Sequence, residues 1–273
     1  MKFSIITPSF RGSDWLKLCV ASVADQDVDH EHIVQDSCSD DGTQDWLPHD
    51  ARVLAFIEKD RGMYDAVNCG LCRASGDILA YLNCDEQYLP GALRAVERFF
   101  GAHPDVDVAF ADAVVVDASG QYLCERRALT PQRAHCLVSG NLAFLTCATF
   151  FRRRILDEQD VFFDAVLRDV GDVVWGLKLI EMKVRMAVLP EFTSAFTDTG
   201  GNMNLREKKR LLDSAPWWAR QFRALVVLHF RLRRWRAGHY SPGLRKYLIY
   251  TLPDPMNRRA FHVEHPTYRW QRG

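Results

Sequence analysis

Short apolar runs alternate with amphipathic stretches from Lys2 to Asp85, and this alternation constrains the fold more than any other feature of the chain. Lys2 to Thr7 reads as a strand and Pro8-Ser9-Phe10-Arg11-Gly12 as the loop after it. Trp15, Leu16, Leu18, Cys19, Val20 and Val23 then recur near helical spacing. A second strand, His32 to Gln35, runs into the polar loop Asp36 to Thr43, whose Ser and Asp residues suit the cap of a helix through Trp46. Val53 to Ile57 reads as a third strand. Glu58 to Asp65 makes a loop and helix start, Ala66, Val67, Leu71 and Ala74 form one apolar helix side, and Gly76 is expected to stop that helix. Ile78 to Leu82 is a fourth, buried strand. This order predicts an α/β, Rossmann-like protein with a mostly parallel mixed sheet flanked by helices on both faces.

The fourth strand ends at two adjacent acids, Asp85 and Glu86. Ligands of open α/β sheets sit at the carboxyl ends of strands, so the pair is a candidate site for a hard divalent cation and its phosphate ligand. A solvated turn or a helix cap is the alternative. Beyond it, Leu93 to Phe100 reads as a helix, and Val106 to Phe110 and Val114 to Val116 as strands. Leu142 to Phe151 fits strand or helix, Asp172 to Ile180 a helix, Val184 to Pro190 a strand, and Pro190 to Asn204 a flexible loop.

With 273 residues and 48% hydrophobic content the chain has material for one large domain or for a domain with a substantial appendage. Its longest apolar runs fall far short of the roughly 20 residues that span a bilayer. The first residues read as a strand rather than a leader, so a cytoplasmic protein is expected. The eight cysteines are scattered, as reduced thiols are, and Cys69-x-x-Cys72 lacks the second pair that zinc needs. The net charge of zero hides a split: residues 204–273 hold 16 Lys and Arg against 4 Asp and Glu, giving +12 there and −12 before it. Such a segment is expected to meet an anionic partner.

Five segments in order resemble glycosyltransferase family 2, the inverting nucleotide-sugar enzymes of the glycosyltransferase A fold. They are Ile5 to Phe10 (I-I-T-P-S-F), Asp36 to Thr43 (D-S-C-S-D-D-G-T), Glu58 to Gly70 (E-K-D-R-G-M-Y-D-A-V-N-C-G), Ala74 to Asp77 (A-S-G-D) and Leu82 to Leu93. The resemblance is greatest to a subgroup that builds bacterial surface polysaccharides. It implies a nucleotide-diphosphate sugar donor and a saccharide or lipid-linked saccharide acceptor. It also implies that Pro8 and Ser9 line the nucleotide pocket, that Asp36 holds base or ribose, and that Asp41 orders the same loop. Asp60, Arg61 and Asp65 would lie beside the donor, with Asn68 hydrogen-bonding near it.

Asn83, Cys84 and Asp85 take the place of the family's D-x-D element. Asp85 would hold Mn²⁺ or Mg²⁺ on the donor diphosphate, and Glu86 stands next to it as a second acid. Asn83 removes one charge from that element. Asp172, before an apolar helix, corresponds to the family's base, and Asp169 is the alternative; either acid also suits an N-cap. Relatives carry a second acid where this chain has Val174. Phe196 to Asn204 resembles a glycine loop that closes over the pyrophosphate.

The resemblance divides the chain into a catalytic domain, 1–203 (1–100 nucleotide-sugar half, 101–203 acceptor half), and a basic, mainly helical extension, 204–273. From Pro216 to Trp235 the extension mixes Trp, Phe and Leu with arginines, which suits a helix on an anionic membrane surface, peripheral to the inner face. Packing of its apolar side on the catalytic domain is the alternative. A nucleic-acid partner rests on charge alone, without a recognition motif, and is not expected. A catalytically silent binding or scaffold protein of the same fold is the competing reading, kept open by Asn83 and Val174.

Overall fold

The computed structural model describes residues 1–140, 142–200 and 205–270. Its first hundred residues lay down β1 (Phe3–Ser9), β2 (His30–Asp36), β3 (Leu54–Ile57) and β4 (Ile78–Tyr81), linked by α1 (Ser13–Ala24), α2 (Thr43–Trp46) and α3 (Met63–Arg73). The first two links carry the chain back to begin a parallel neighbour and α3 carries it across to the far side of β1, giving the order β3-β2-β1-β4. Every residue of β1 is buried, as a strand covered on both faces requires, while β3 at the edge is only partly covered. Helix α3 ends at Arg73, before Gly76. Gly76 serves a different purpose from the expected helix stop: a Cβ there would lie 2.7 Å from the Phe3 backbone carbon, so only glycine lets β1 and the start of β4 approach.

The next stretch forms β5 (Gln87–Tyr88), α4 (Ala92–Ala102), β6 (Val108–Asp117), β7 (Tyr122–Arg126), α5 (Arg133–Ser139) and β8 (Thr149–Arg152). It continues with α6 (Arg154–Asp157), α7 (Gly171–Glu181) and β9 (Met186–Asp198). Strand β8 runs antiparallel between β4 and β6, and β9 lies parallel to β6. Six of the nine strands, β1 to β4, β6 and β9, therefore point the same way, with β5, β7 and β8 reversed. The expected mostly parallel mixed sheet is present.

Three expectations change. The two strands read at 106–110 and 114–116 are one, β6, whose register shifts on either side of Asp112. The ambiguous 142–151 is irregular chain, a short 3₁₀ turn at Thr146–Ala148 and then β8. The loop expected from Pro190 is strand as far as Asp198. Leu189 pairs with Ala111 and Phe192 with Asp112, so Pro190 and Glu191 bulge out of the ladder, where a missing N–H breaks no bond.

Alternate residues of each strand feed opposite faces. Phe3, Ile5, Ile78 and Ala80 pack with α1 and α4, while Ile6, Ile33, Leu79 and Phe151 pack with α3, α5 and α7 around Trp175. The extension contains α8 (Leu205–Ser214), α9 (Trp217–Gln221) and α10 (Arg223–Arg236), then a hairpin of β10 (Lys246–Thr251) and β11 (Asp254–His262) that the sequence reading lacked. Tyr247, Ile249, Phe261 and Val263 of the hairpin pack on Leu89, Val114, Val116 and Ala195 of the main sheet. Among the described residues no helix is long and apolar enough to cross a membrane.

Candidate functional site

Ser9, Asp36, Ile57, Tyr81, Asp117 and Asp198 are the last residues of the six co-directional strands, so one edge of the sheet collects the polar loops. Pro8 and Ser9 pair in register with Gln35 and Asp36. The Ser9 hydroxyl is buried with no hydrogen-bond partner, an unmet polar atom at the strand end. Asp36 is fully buried, and both of its oxygens already accept from Ser39, at 2.8 Å from the backbone N–H and 2.7 Å from the hydroxyl. Its carboxylate orders the loop in this structure. Asp41 does the same for two helices: Oδ2 accepts from Ser13 N (2.8 Å) at the start of α1 and Oδ1 from Thr43 Oγ1 (2.6 Å) at the start of α2.

Asp60 Oδ1 accepts from Gly62 N at 2.9 Å, turning the chain into α3. Arg61 and Asp65 form an i,i+4 pair at 2.6 Å, and the guanidinium holds Asp65 below the usual carboxylate range. Arg61 remains 76% exposed. Asn68 has both ends of its amide engaged: its Nδ2 donates to Phe163 O (2.8 Å) and its Oδ1 accepts from Phe163 N (3.0 Å). Both ends of that amide clamp the 161–170 segment onto α3.

After β4 the chain turns tightly, with Glu86 N donating to Asn83 O (3.0 Å). Glu86 closes the same turn from its side chain, Oε2 accepting from Asn83 N at 2.7 Å. It is buried, its other oxygen has no partner, and burial reinforced by Asp85 pushes its carboxyl up. Glu86 thus closes the turn through one oxygen and keeps the other unengaged beside Asp85. Cys84 is partly buried against Gly12, where a Cβ would meet its Sγ at 2.9 Å, and burial pushes its thiol up to about 12.

Asp85 is half-buried, and its backbone carbonyl accepts from Thr197 Oγ1 (2.5 Å), tying this turn to the end of β9. Burial raises its carboxyl above the usual range, opposed by its own backbone N–H. A cation beside it would reverse that penalty. Among the described residues no group of three or more His, Cys, Asp or Glu could hold a metal. Asp85 is a single carboxylate that could hold a hard ion such as Mg²⁺ or Mn²⁺, which need only one or two protein carboxylates.

Asp172 sits in the first turn of α7, whose N-cap is Val170, so it is not itself the cap. Its Oδ1 accepts from Val173 N at 2.7 Å, and its backbone N–H donates to Tyr64 Oη at 3.1 Å. Desolvation raises its pKa to about 6, against the lowering effects of the Val173 N–H, Lys208 of α8 and the Tyr64 hydroxyl. Tyr64 belongs to the G-M-Y-D segment. Its ring lies where a Cβ on Gly171 would approach within 2.4 Å, so the glycine admits the contact. Tyr81, at the end of β4, feels both Tyr64 and Asp172. Asp169 lies in the bend before α7 and is engaged in an interaction of its own.

Sequence reading missed Tyr64, Tyr81 and Lys208 as neighbours of this acid. Tyr64 lay inside a recognised segment, whereas Lys208 was visible only as charge. Of the segment Phe196 to Asn204 that resembles a glycine loop, Phe196 to Asp198 end β9, and residues 201–204 lie outside the described residues.

Residues 4–159, more than half of the chain, match the family model described as glycosyl transferase family 2. A PGL/p-HBAD biosynthesis glycosyltransferase of Mycobacterium tuberculosis is 32% identical over 120 residues, 41% of this chain and 47% of that protein. The GalNAc(5)-diNAcBac-PP-undecaprenol beta-1,3-glucosyltransferase of Campylobacter jejuni is 34% identical over 99 residues, 34% of this chain and 32% of that protein. The matches thus span about a third to a half of the length of these curated relatives. Among solved structures, S. aureus TarS 1–349 with UDP-GlcNAc superposes with a TM-score of 0.59 at 20% identity, covering 79% of this chain and 62% of that one. The mannosyltransferase PcManGT from Pyrobaculum calidifontis, with GDP-Man and Mn²⁺, gives 0.54 at 18% identity, covering 89% and 76%. At such identities the likeness is one of fold. The family match and the sheet it overlies agree: the chain belongs to glycosyl transferase family 2.

Proposed function

We infer that the protein transfers a sugar, with inversion, from a nucleotide-diphosphate donor to a saccharide or lipid-linked saccharide in cell-surface polysaccharide synthesis. The observation that carries this reading is Asp172, a carboxyl raised to about 6 and lodged against Tyr64 of the donor-side segment. A carboxylate of that basicity is ionised at neutral pH and still accepts a proton readily. In the transfer, the acceptor oxygen attacks the anomeric carbon from the face opposite the diphosphate and gives its proton to Asp172. The new C–O bond forms as the bond to the diphosphate breaks, and the nucleoside diphosphate leaves with the electron pair. Tyr64 and the Val173 N–H hold the carboxylate in place.

Asp85 is the residue that would hold Mn²⁺ or Mg²⁺, and the ion would supply neutralisation of charge on the leaving diphosphate. Ser9, with its unmet buried hydroxyl, and Pro8 line the nucleotide side, with Asp36 and Asp41 setting the loop. The solved neighbours hold nucleotide sugars of two kinds, UDP-GlcNAc and GDP-Man, so a panel of UDP- and GDP-sugars tests the donor. Asp172→Asn is expected to lower transfer by about 10² to 10⁴ while nucleotide binding, read by calorimetry, changes less than about threefold. Asp85→Ala is expected to abolish the dependence on added Mn²⁺. Equal nucleotide release by the parent and Asp85→Ala would sink the catalytic metal role, and no release by the parent would leave the silent, scaffold reading standing.

A further inference from the structure

Helices α9 and α10 pack on the protein by one side only. Ala219 is fully buried, Phe230 stacks on His135 of α5 with centroids 3.6 Å apart, and Arg233 donates to Thr130 O at 3.1 Å. The opposite side is apolar and open. Trp218, Phe222, Leu225, Leu228, Leu232 and Trp235 succeed one another at three- and four-residue steps, and all are exposed, Leu225 to 60% and Trp235 to 66%.

Charge tells what covers this stripe. From residue 214 to residue 253 the chain has no Asp or Glu but eight Arg and Lys. Beside the stripe lies a cavity of about 550 Å³ lined by Arg231, Arg234 and Arg269 with Tyr240, Tyr268 and Phe230. Among the described residues none of these three arginines pairs with a carboxylate. The Arg234 guanidinium instead lies over the Tyr240 ring, 5.2 Å from its centroid, and that of Arg269 lies 5.9 Å from the Tyr268 ring. Asp198, on the adjoining strand end, already accepts from Trp270 Nε1 at 2.7 Å. An apolar ridge with tryptophans, next to arginines gathered without counter-ions, matches the two layers of an anionic lipid surface: acyl chains for the ridge and phosphates for the arginines.

We propose that α9 and α10 bed into the surface of an anionic bilayer, with a lipid phosphate seated in the Arg231/Arg234/Arg269 cavity. The site faces lipid irrespective of which sugar is transferred, and its test uses no acceptor. The full chain is sedimented with vesicles of phosphatidylcholine containing about a third phosphatidylglycerol, and with phosphatidylcholine alone. Strong binding to the first, falling as salt rises, is expected, with weak binding to the second.

Arg231→Gln with Arg269→Gln is expected to weaken binding to the anionic vesicles by roughly 25-fold, about fivefold for each lost charge. Leu228→Gln with Leu232→Gln is expected to weaken it roughly tenfold or more. Both pairs replace exposed side chains, so unchanged thermal melts and unchanged donor hydrolysis in solution accompany the loss. Three results would overturn the proposal: no sedimentation with anionic vesicles, parental binding by the arginine pair, or a vesicle-free dimer of the parent that the leucine pair dissolves. The last would make the stripe a contact between two copies.

Discussion

At Asp172 two influences oppose each other, and their balance sets the pH at which the residue can act. Desolvation raises the carboxyl to about 6, while the Val173 N–H, Lys208 and the Tyr64 hydroxyl pull it down. A base must be ionised, so transfer is expected to rise with pH up to about 6 and level off above it, a limb that a pH profile of kcat/KM would show. Tyr64→Phe removes one lowering influence, and the limb is expected to move to higher pH; an unmoved limb would assign it to another group. The acid itself was visible as a candidate, because it opens an apolar helix where the resemblance to the family places a carboxylate. Its partner was not, since Tyr64 lies 108 residues earlier and no local pattern joins them. Asp112 offers a stability test of the same physics. Burial raises its pKa from 3.8 to about 7, so the folded state holds its proton more tightly than the unfolded one. The resulting stability is complete below pH 3.8 and is lost as pH rises towards 7. Asp112→Asn keeps an acceptor for Ala128 N and never ionises. It is expected to match the parent near pH 4 and exceed it near pH 8 by on the order of 3 kcal/mol in urea melts.

Elements with one dominant period were legible, and those broken by a bulge or a proline were not. Helix α7 was expected over 172–180 and spans Gly171–Glu181, whereas β6 read as two strands because Ala-Asp-Ala interrupts its apolar run where its register shifts. Pro190 disguised β9, and Pro253 with Pro255 disguised the β10–β11 hairpin. The junction of α3 with α7 shows what such local reading leaves out. Tyr64 stacks on Phe163 with ring centroids 5.6 Å apart, and Asn68 fixes Phe163 by both backbone atoms. The ring cannot yield readily, yet a Cβ on Gly171 would stand 2.4 Å from it. Gly171→Ala is therefore expected to cost roughly 1–3 kcal/mol in a denaturant melt and to raise the pH of the Asp172 limb together with it. A loss of stability without movement of the limb would separate the packing of Tyr64 from its bond to the carboxylate.

On the scale of the whole molecule, the boundary at 203/204 marks a change of charge but not of core. Both faces of the main sheet depend on the extension for cover: Leu211, Ala215 and Ala219 join the cluster around Trp175, and Tyr247, Ile249, Phe261 and Val263 complete the cluster on Val114 and Val116. Arg258 adds a lock, donating to Asp25 Oδ1 at 2.7 Å and to Tyr88 O at 2.9 Å in β5, just beyond Asp85. Composition revealed the +12 charge of this segment, yet it could not reveal that one end packs inward while α10 presents an open side. Large side chains such as these stabilise by roughly 1.5–3 kcal/mol each when buried, and the net stability of a domain is about 5–15 kcal/mol. Removing residues 204–273 is thus expected to exceed that margin, leaving a chain that is insoluble or melts without cooperativity by circular dichroism. Arg258→Ala, which leaves the apolar contacts in place, is expected to lose only about 1–3 kcal/mol and to keep a single sharp transition. A truncated chain melting cooperatively near the parental temperature would instead make residues 204–273 a separable module, with the hairpin contacts contributing little to the fold.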